Sequence, residues 1–242
     1  MRKRILMLTV TLTLLGSLAW AQGPVHRRAG LAAAAEHGAF RVRLGYFEPE
    51  GGSAYWDEAE RYFTGGASDM GDVLGALEYV RRLSPSSSLV WTVSFWDGDT
   101  AQSYRDWTDA SGFPVTHTTT LEMDQLTVAW VLDLSPRPAP AVPYVGIGGG
   151  LYFWELREEG EFIDFGVDPA EIVPARYQDS GTAPGLFAVT GIEFMVSPGW
   201  SLITEARYHW VQDEVGAGFT GTRSMDLDLS GFELSAGISW RF

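Results

Sequence analysis

Residues 231–242 read Gly-Phe-Glu-Leu-Ser-Ala-Gly-Ile-Ser-Trp-Arg-Phe and alternate strictly along the chain. The apolar positions are Phe232, Leu234, Ala236, Ile238, Trp240 and Phe242. The intervening positions are Glu233, Ser235, Gly237, Ser239 and Arg241. A period of two is typical of a β-strand with one side in an apolar medium and the other in a polar one. An aromatic residue at the end favours a membrane barrel, since the terminal strand of a soluble protein usually ends in polar, frayed residues.

Seven earlier segments show the same alternation, so the sequence predicts eight strands, an even number as expected of a single-chain bacterial barrel. The earlier segments lie at about 39–46, 72–81, 89–96, 119–133, 143–155, 185–196 and 200–211. A soluble eight-stranded binder such as a lipocalin would place its apolar residues inside. Here the charged residues share a face with the glycines, and the large apolar residues occupy the other face, which favours a membrane barrel.

The predicted connections alternate between short and long. Three are short and rich in turn residues, at 83–88, 135–140 and 197–200. Four are long and polar, at 48–71, 97–118, 156–184 and 212–230. The sequence therefore predicts an all-β fold: an eight-stranded antiparallel up-and-down transmembrane β-barrel with short periplasmic turns and four long extracellular loops.

The N-terminal residues predict export. A basic leader, an apolar run over 5–18 and the small residues Ala19 and Ala21 are typical of a cleaved signal peptide covering residues 1–21. We expect residues 22–38 to form an N-terminal periplasmic segment and residues 39–242 to form the barrel, integral to the cell outer membrane. The chain has no cysteine, which excludes disulfides, thiolate metal sites and a Cys-linked lipid anchor.

The acidic excess is concentrated in the predicted long loops. The formal net charge is −14, and acidic residues cluster at 57–60, 97–99, 158–164 and 213–214. This charge argues against a nucleic-acid partner. Carboxylates suit divalent cations, but no cluster has EF-hand spacing, so we expect solvated loops and no metal site. In the first loop, residues 56–62 predict a short helical turn.

Aromatic residues fall near both ends of the predicted strands, as expected of interfacial girdles. Those toward the short turns are Trp91, Trp130, Trp200 and Trp240. Those toward the long loops are Tyr46, Phe95, Phe153 and Trp210. Both girdles imply outer-membrane lipid as a partner.

Three internal stretches, 43–47, 143–150 and 205–209, resemble the small eight-stranded outer-membrane β-barrel family, with its OmpA-, OmpX- and OmpW-type members. The C-terminal pattern Ser235, Gly237, Trp240 and Phe242 resembles the insertion signal of such barrels. The resemblance covers residues 39–242. It implies a non-enzymatic membrane protein that the barrel-assembly machinery inserts.

The charges on the glycine face are the one constellation of interest. Strand parity directs eight charged side chains to the lumen: Arg41, Arg43, Glu78, Glu193, Glu205, Arg207, Glu233 and Arg241. The hairpin around 197–200 would bring Glu193 near Glu205, which is costly unless a cation separates them. Arg43 and Arg241 are the candidates for this cation. These charges form either a gate on a solute path or a polar plug, and the narrow interior of eight strands favours the plug.

No catalytic residue or cofactor is predicted. His209 lacks a positioned nucleophile, so we expect it to be an interfacial polar residue. Glycines at 146–150 lie in a strand pattern and form no phosphate cradle. The sequence predicts a monomeric structural or small-solute-interacting barrel with a largely side-chain-filled lumen. The alternatives are a ligand-binding or adhesion protein that uses its acidic loops, and a narrow passive channel for small or hydrophobic solutes.

Overall fold

A computed structural model describes residues 38–137, 139–221 and 223–242. The predicted signal peptide and residues 22–37 of the predicted periplasmic segment lie outside these ranges. The strands are β1 Gly38–Pro49, β2 Asp72–Ser84, β3 Ser87–Thr108, β4 Pro114–Asp133, β5 Ala141–Asp164, β6 Glu171–Ser197, β7 Trp200–Val215, β8 Met225–Asp228 and β9 Gly231–Arg241. The helices are α1 Ala54–Tyr62, a 3₁₀ turn at Ala67–Met70, and α2 Ala217–Thr220.

Eight strands close into an antiparallel ring. β1 to β7 pair in sequence order, β7 pairs with β9, and β9 pairs with β1 to close the barrel. The predicted eight-stranded up-and-down barrel is therefore confirmed. β8 is a short additional strand that lies outside the ring and pairs with the extracellular end of β7. The turn between β6 and β7 uses Gly199 at a φ of 88°, a left-handed conformation that favours glycine.

The outer wall of the barrel carries an apolar band. On β5, for example, Val145, Ile147 and Leu151 are exposed, whereas Tyr144 and Tyr152 are buried inside. Further toward the extracellular end, the outward positions of the same strand are Glu155 and Arg157. An apolar wall that changes to charged residues is the pattern expected where strands pass from lipid to water.

The predicted bounds of two of the long loops are wrong, because strands extend into them. Residues 97–108 and 114–118 continue β3 and β4, and residues 156–164 and 171–184 continue β5 and β6. The alternation of outward apolar residues ends there because the outer face enters water, but the backbone ladder continues. These two hairpins therefore project beyond the lipid band as ordered structure.

The first and last extracellular connections fold over the mouth of the barrel. α1 contains the predicted helical turn and buries Tyr55, Trp56 and Ala59. Trp56 donates from Nε1 to the carbonyl oxygen of Asp228 on β8 at 3.0 Å. Within the described ranges, no helix is long and apolar enough to cross a membrane.

Candidate functional site

The middle of the lumen contains an ion cluster around two arginines. Arg43 donates from Nε to Glu78 at 3.0 Å and from Nη1 to Glu233 and Ser235. Arg207 donates from Nε to Glu205 at 2.9 Å and from Nη2 to Glu78 at 2.5 Å. Because every one of these side chains is almost fully buried, the charges compensate one another rather than being solvated.

The cation between Glu193 and Glu205 is Arg41. Its Nη2 donates to Glu193 at 3.3 Å, and its Nη1 lies 3.6 Å from Glu205. Glu193 lies opposite Ile203, so the two glutamates are diagonal rather than directly paired. Of the two predicted candidates, Arg43 contacts Glu205 at 3.4 Å and Arg241 approaches Glu193 at 3.9 Å.

The ion network continues to the periplasmic rim through residues that the sequence analysis did not select. Glu193 also accepts from Arg137 Nη2 at 2.7 Å. Arg137 and Arg82 both donate to Asp133, at 2.7 Å and 2.6 Å. Strand parity was the available signal, because Arg82 and Asp133 share the inward face of their strands with Glu78 and Thr127.

Six arginines and five carboxylates make up the described ion network. Its cations are Arg41, Arg43, Arg82, Arg137, Arg207 and, at the rim, Arg241. Its anions are Glu78, Asp133, Glu193, Glu205 and Glu233. Arg241, half-buried at the rim, is the eighth of the predicted lumen charges, and the structure brings all eight into this one region.

His209 lies inside the barrel, so the prediction of an interfacial position is wrong. The side chain is buried, with Nδ1 2.9 Å from the Tyr152 hydroxyl and Nε2 3.3 Å from Glu233. Its ring also stacks on Phe187. His209 therefore lies between the ion cluster and the buried rings of Tyr152 and Phe187.

An apolar layer fills the extracellular half of the lumen. The buried cluster includes Phe47, Trp96 and Tyr152 from the barrel wall and Tyr55 and Trp56 from α1. The rings of Phe47 and Trp96 meet edge to face at 5.0 Å. Inward side chains thus form an ion cluster in the middle of the lumen and an apolar layer on its extracellular side.

Small residues on β5 and β6 make room for the inward rings. A Cβ atom at Gly148 would lie 2.5 Å from the Phe187 ring, and one at Gly191 would lie 2.6 Å from the Tyr144 ring. Tyr144 uses this space to donate to Glu205 at 2.6 Å. These close approaches explain the glycine-rich run on β5 as packing.

The predicted girdle residues all lie on the outer wall. Exposed side chains are Tyr46, Trp91, Trp130, Trp200, Trp210 and Trp240, and the half-buried ones are Phe95 and Phe153. Cross-strand pairing links Trp91, Tyr79, Phe40, Trp240 and Trp200 into one row over five strands. Tyr79 and Phe40 were missed, although outward parity on β2 and β1 indicates them.

Within the C-terminal pattern, Trp240 and Phe242 are also exposed, whereas Ser235 and Gly237 lie against Arg43 inside.

A pocket of about 360 Å³ opens between α1, the β5–β6 hairpin and α2, here called the extracellular pocket. Its lining includes Tyr55, Phe63, Glu158, Phe162, Tyr177 and Phe219. Ring contacts at 6.0, 6.3 and 5.1 Å connect Tyr55, Phe219, Tyr177 and Phe162 in that order. The ring of His117 contacts Phe162 at 4.8 Å and Phe63 at 4.4 Å.

Glu158 is the buried carboxylate of this pocket, so the predicted position in a solvated loop is wrong. Its Oε1 accepts from the Tyr55 hydroxyl at 2.6 Å, and burial raises the pKa of the carboxyl. Burial lowers the pKa of His117 to about 4, so that imidazole is neutral at pH 7. Among the described residues, no arginine pairs with Glu158. In the same ranges, no group of three His, Asp or Glu side chains is arranged to hold a metal ion.

Replacing Glu158 by glutamine should stabilise the protein at pH 8, by about 1 kcal/mol, because the buried charge is lost while an acceptor remains for Tyr55. The pKa of Glu158 is raised on folding, so its ionised form weakens the fold above the unfolded-state pKa of about 4.3. The gain should therefore disappear as the pH falls to 4. Urea unfolding at both pH values measures it, and an equal gain at pH 4 would contradict this account.

Comparison with known proteins identifies the class of fold. No protein-family model matches the chain, and no curated protein sequence matches it. Among solved structures, it is similar to Neisserial surface protein A, with a TM-score of 0.50 and 14% identity over 85% of this chain and 97% of that one. It is also similar to the outer membrane protein OprG from Pseudomonas aeruginosa, with a TM-score of 0.52 and 10% identity over 86% and 97%.

The chain therefore has the fold of the small eight-stranded outer-membrane β-barrels, and the resemblance inferred from its sequence is confirmed for the fold. At these identities the likeness extends to the fold alone.

Proposed function

We propose that this protein is a non-enzymatic outer-membrane barrel that is closed to solutes and anchors a folded, ligand-binding extracellular face. The observation that carries the proposal is the buried ion network below the apolar layer, in which each carboxylate contacts at least one arginine. An interior of eight strands is just wide enough for side chains to fill. Because Arg41 and Arg43 are each held by several carboxylates, opening a path would separate buried charges.

The ligand-binding part of the proposal is supported by the extracellular side of the barrel. The β3–β4 and β5–β6 hairpins extend past the apolar band, and α1 packs on β8 across the mouth. A sealed barrel needs none of this ordered structure beyond the lipid. An anchor for a binding surface does need such structure, and the extracellular pocket is a concave feature formed by it.

Conductance in planar bilayers tests the closed lumen. We expect the refolded full chain to give no steady unitary current, because side chains fill the lumen at two levels. A second protein, in which a flexible Gly-Ser linker of equal length replaces residues 54–62, should also stay closed, since the ion network below the mouth is intact.

Only protein that keeps the heat-sensitive gel mobility of a folded barrel is compared, and a general porin serves as the positive control. A reproducible unitary current from the folded wild-type chain would overturn the closed-lumen proposal. It would favour the narrow passive channel instead.

A further inference from the structure

The extracellular pocket combines two features that the barrel itself does not need. Its walls are aromatic, with Tyr55 from α1, Phe162 and Tyr177 from the β5–β6 hairpin, and Phe219 from α2. Of its two lining carboxylates, Glu58 pairs with Arg61, whereas Glu158 is only 8% exposed. Aromatic faces and an anion are both attractive to a positive charge, and the face of an aromatic ring attracts a cation within about 6 Å.

No cation of the described protein neutralises this carboxylate. Its hydrogen bond from Tyr55 is that of a neutral hydroxyl. Arg61 pairs with Glu58 at 3.2 Å and Arg176 pairs with Glu159 at 3.7 Å, and among the described ion pairs none joins Arg157 or Arg223 to Glu158. His117 packs against Phe162 and contacts Gln102, not Glu158. A buried carboxylate without a charged partner is costly, and a bound cation would remove that cost.

We infer that the extracellular pocket binds a small organic cation, an ammonium group on an apolar body, held between Glu158 and the aromatic rings. The inference rests on the ligand-binding part of the proposed function and supplies its ligand class. The volume of about 360 Å³ suits a compact molecule rather than a peptide or a glycan. The acidic extracellular segments would favour the approach of a cation.

Two pairs of measurements test the charge requirement. Isothermal titration of the full chain in dodecyl maltoside compares choline with 3,3-dimethylbutan-1-ol, a neutral molecule of nearly the same shape. Benzyltrimethylammonium is a larger second cation. We expect choline to bind at least about ten-fold more tightly than the neutral alcohol, as is typical of an ion contact in a partly buried site.

The variants separate the roles of the carboxylate and the rings. Glu158→Gln keeps the acceptor for Tyr55 and should reduce the preference for choline over the alcohol by at least about five-fold. Tyr177→Leu keeps an apolar wall and should weaken choline by about five-fold. Matched controls on the same hairpin are Glu161→Gln and Phe165→Leu, both at exposed positions outside the pocket lining, and neither should change binding.

Several results would overturn the inference. Equal binding of choline and the alcohol to the wild type would do so, as would an unchanged preference in Glu158→Gln. Failure of both cations to bind at concentrations up to about 10 mM would also exclude it. The bilayer measurement is independent, so a closed lumen with no cation binding would reject this inference and leave the closed-lumen proposal standing.

Discussion

Replacing Arg43 by methionine is expected to lower the free energy of unfolding by about 3–5 kcal/mol. Methionine keeps the length of the side chain but removes the guanidinium that lies among Glu78, Glu205 and Glu233. The three carboxylates would then share the remaining arginines in a buried site. Urea unfolding in micelles, followed by tryptophan fluorescence, measures the loss.

The matched control is Arg61→Met. Arg61 is an arginine of α1 whose side chain is 65% exposed and pairs with Glu58. An exposed pair contributes about 0–1 kcal/mol, so this change should have little effect. Adding Glu233→Gln to Arg43→Met removes one uncompensated charge and should restore part of the stability. Equal stability of the two single variants would contradict the role given to the ion network.

Replacing Trp56 by alanine is expected to detach α1 from the mouth of the barrel. Trp56 is fully buried, contacts Tyr55 edge to face at 4.8 Å and donates to the Asp228 carbonyl. Truncating a buried tryptophan costs about 3–5 kcal/mol. Because α1 lies outside the strand ladder, we expect the cost to appear as local opening of residues 50–71 with the barrel strands still paired.

Limited trypsinolysis with mass spectrometry reports this opening. Cleavage after Arg61 should become at least about a hundred-fold faster in Trp56→Ala, in line with the loss of 3 kcal/mol or more. The control is Trp107→Ala, which removes a tryptophan that is 49% exposed on β3. Similar cleavage rates in the two variants would show that Trp56 does not hold the helix in place.

Strand parity predicted much of the barrel. It directed Arg43 and Glu233 inward and Trp200 and Trp240 outward, because a strand that separates lipid from a packed interior must alternate. Parity cannot say which inward residues meet across the lumen, since that depends on the stagger of the strands around the ring. This is why Arg41, rather than Arg43 or Arg241, proved to be the cation between Glu193 and Glu205.

The extracellular structure was harder to predict for a different reason. Beyond the lipid, the outer face of β5 carries Glu155 and Arg157, so the apolar alternation that marks a strand disappears. The sequence therefore suggested a loop in which Glu158 is solvated. The ladder in fact continues, and the inward parity of β5 buries Glu158 beneath Tyr55 of α1. Docking of α1 has no local sequence signal, because its partners are distant in the chain.

The partners of Arg43 lie on both sides of the seam at which the ring closes. Glu78 is on β2, which follows β1 in the chain. Glu233 and Ser235 are on β9, 190 and 192 residues after Arg43. A barrel that is open between β1 and β9 would leave Arg43 and Glu233 without each other in a lipid environment. Closure and charge neutralisation must therefore occur together. Because separating this buried pair is costly, we expect the last step of barrel assembly to be cooperative.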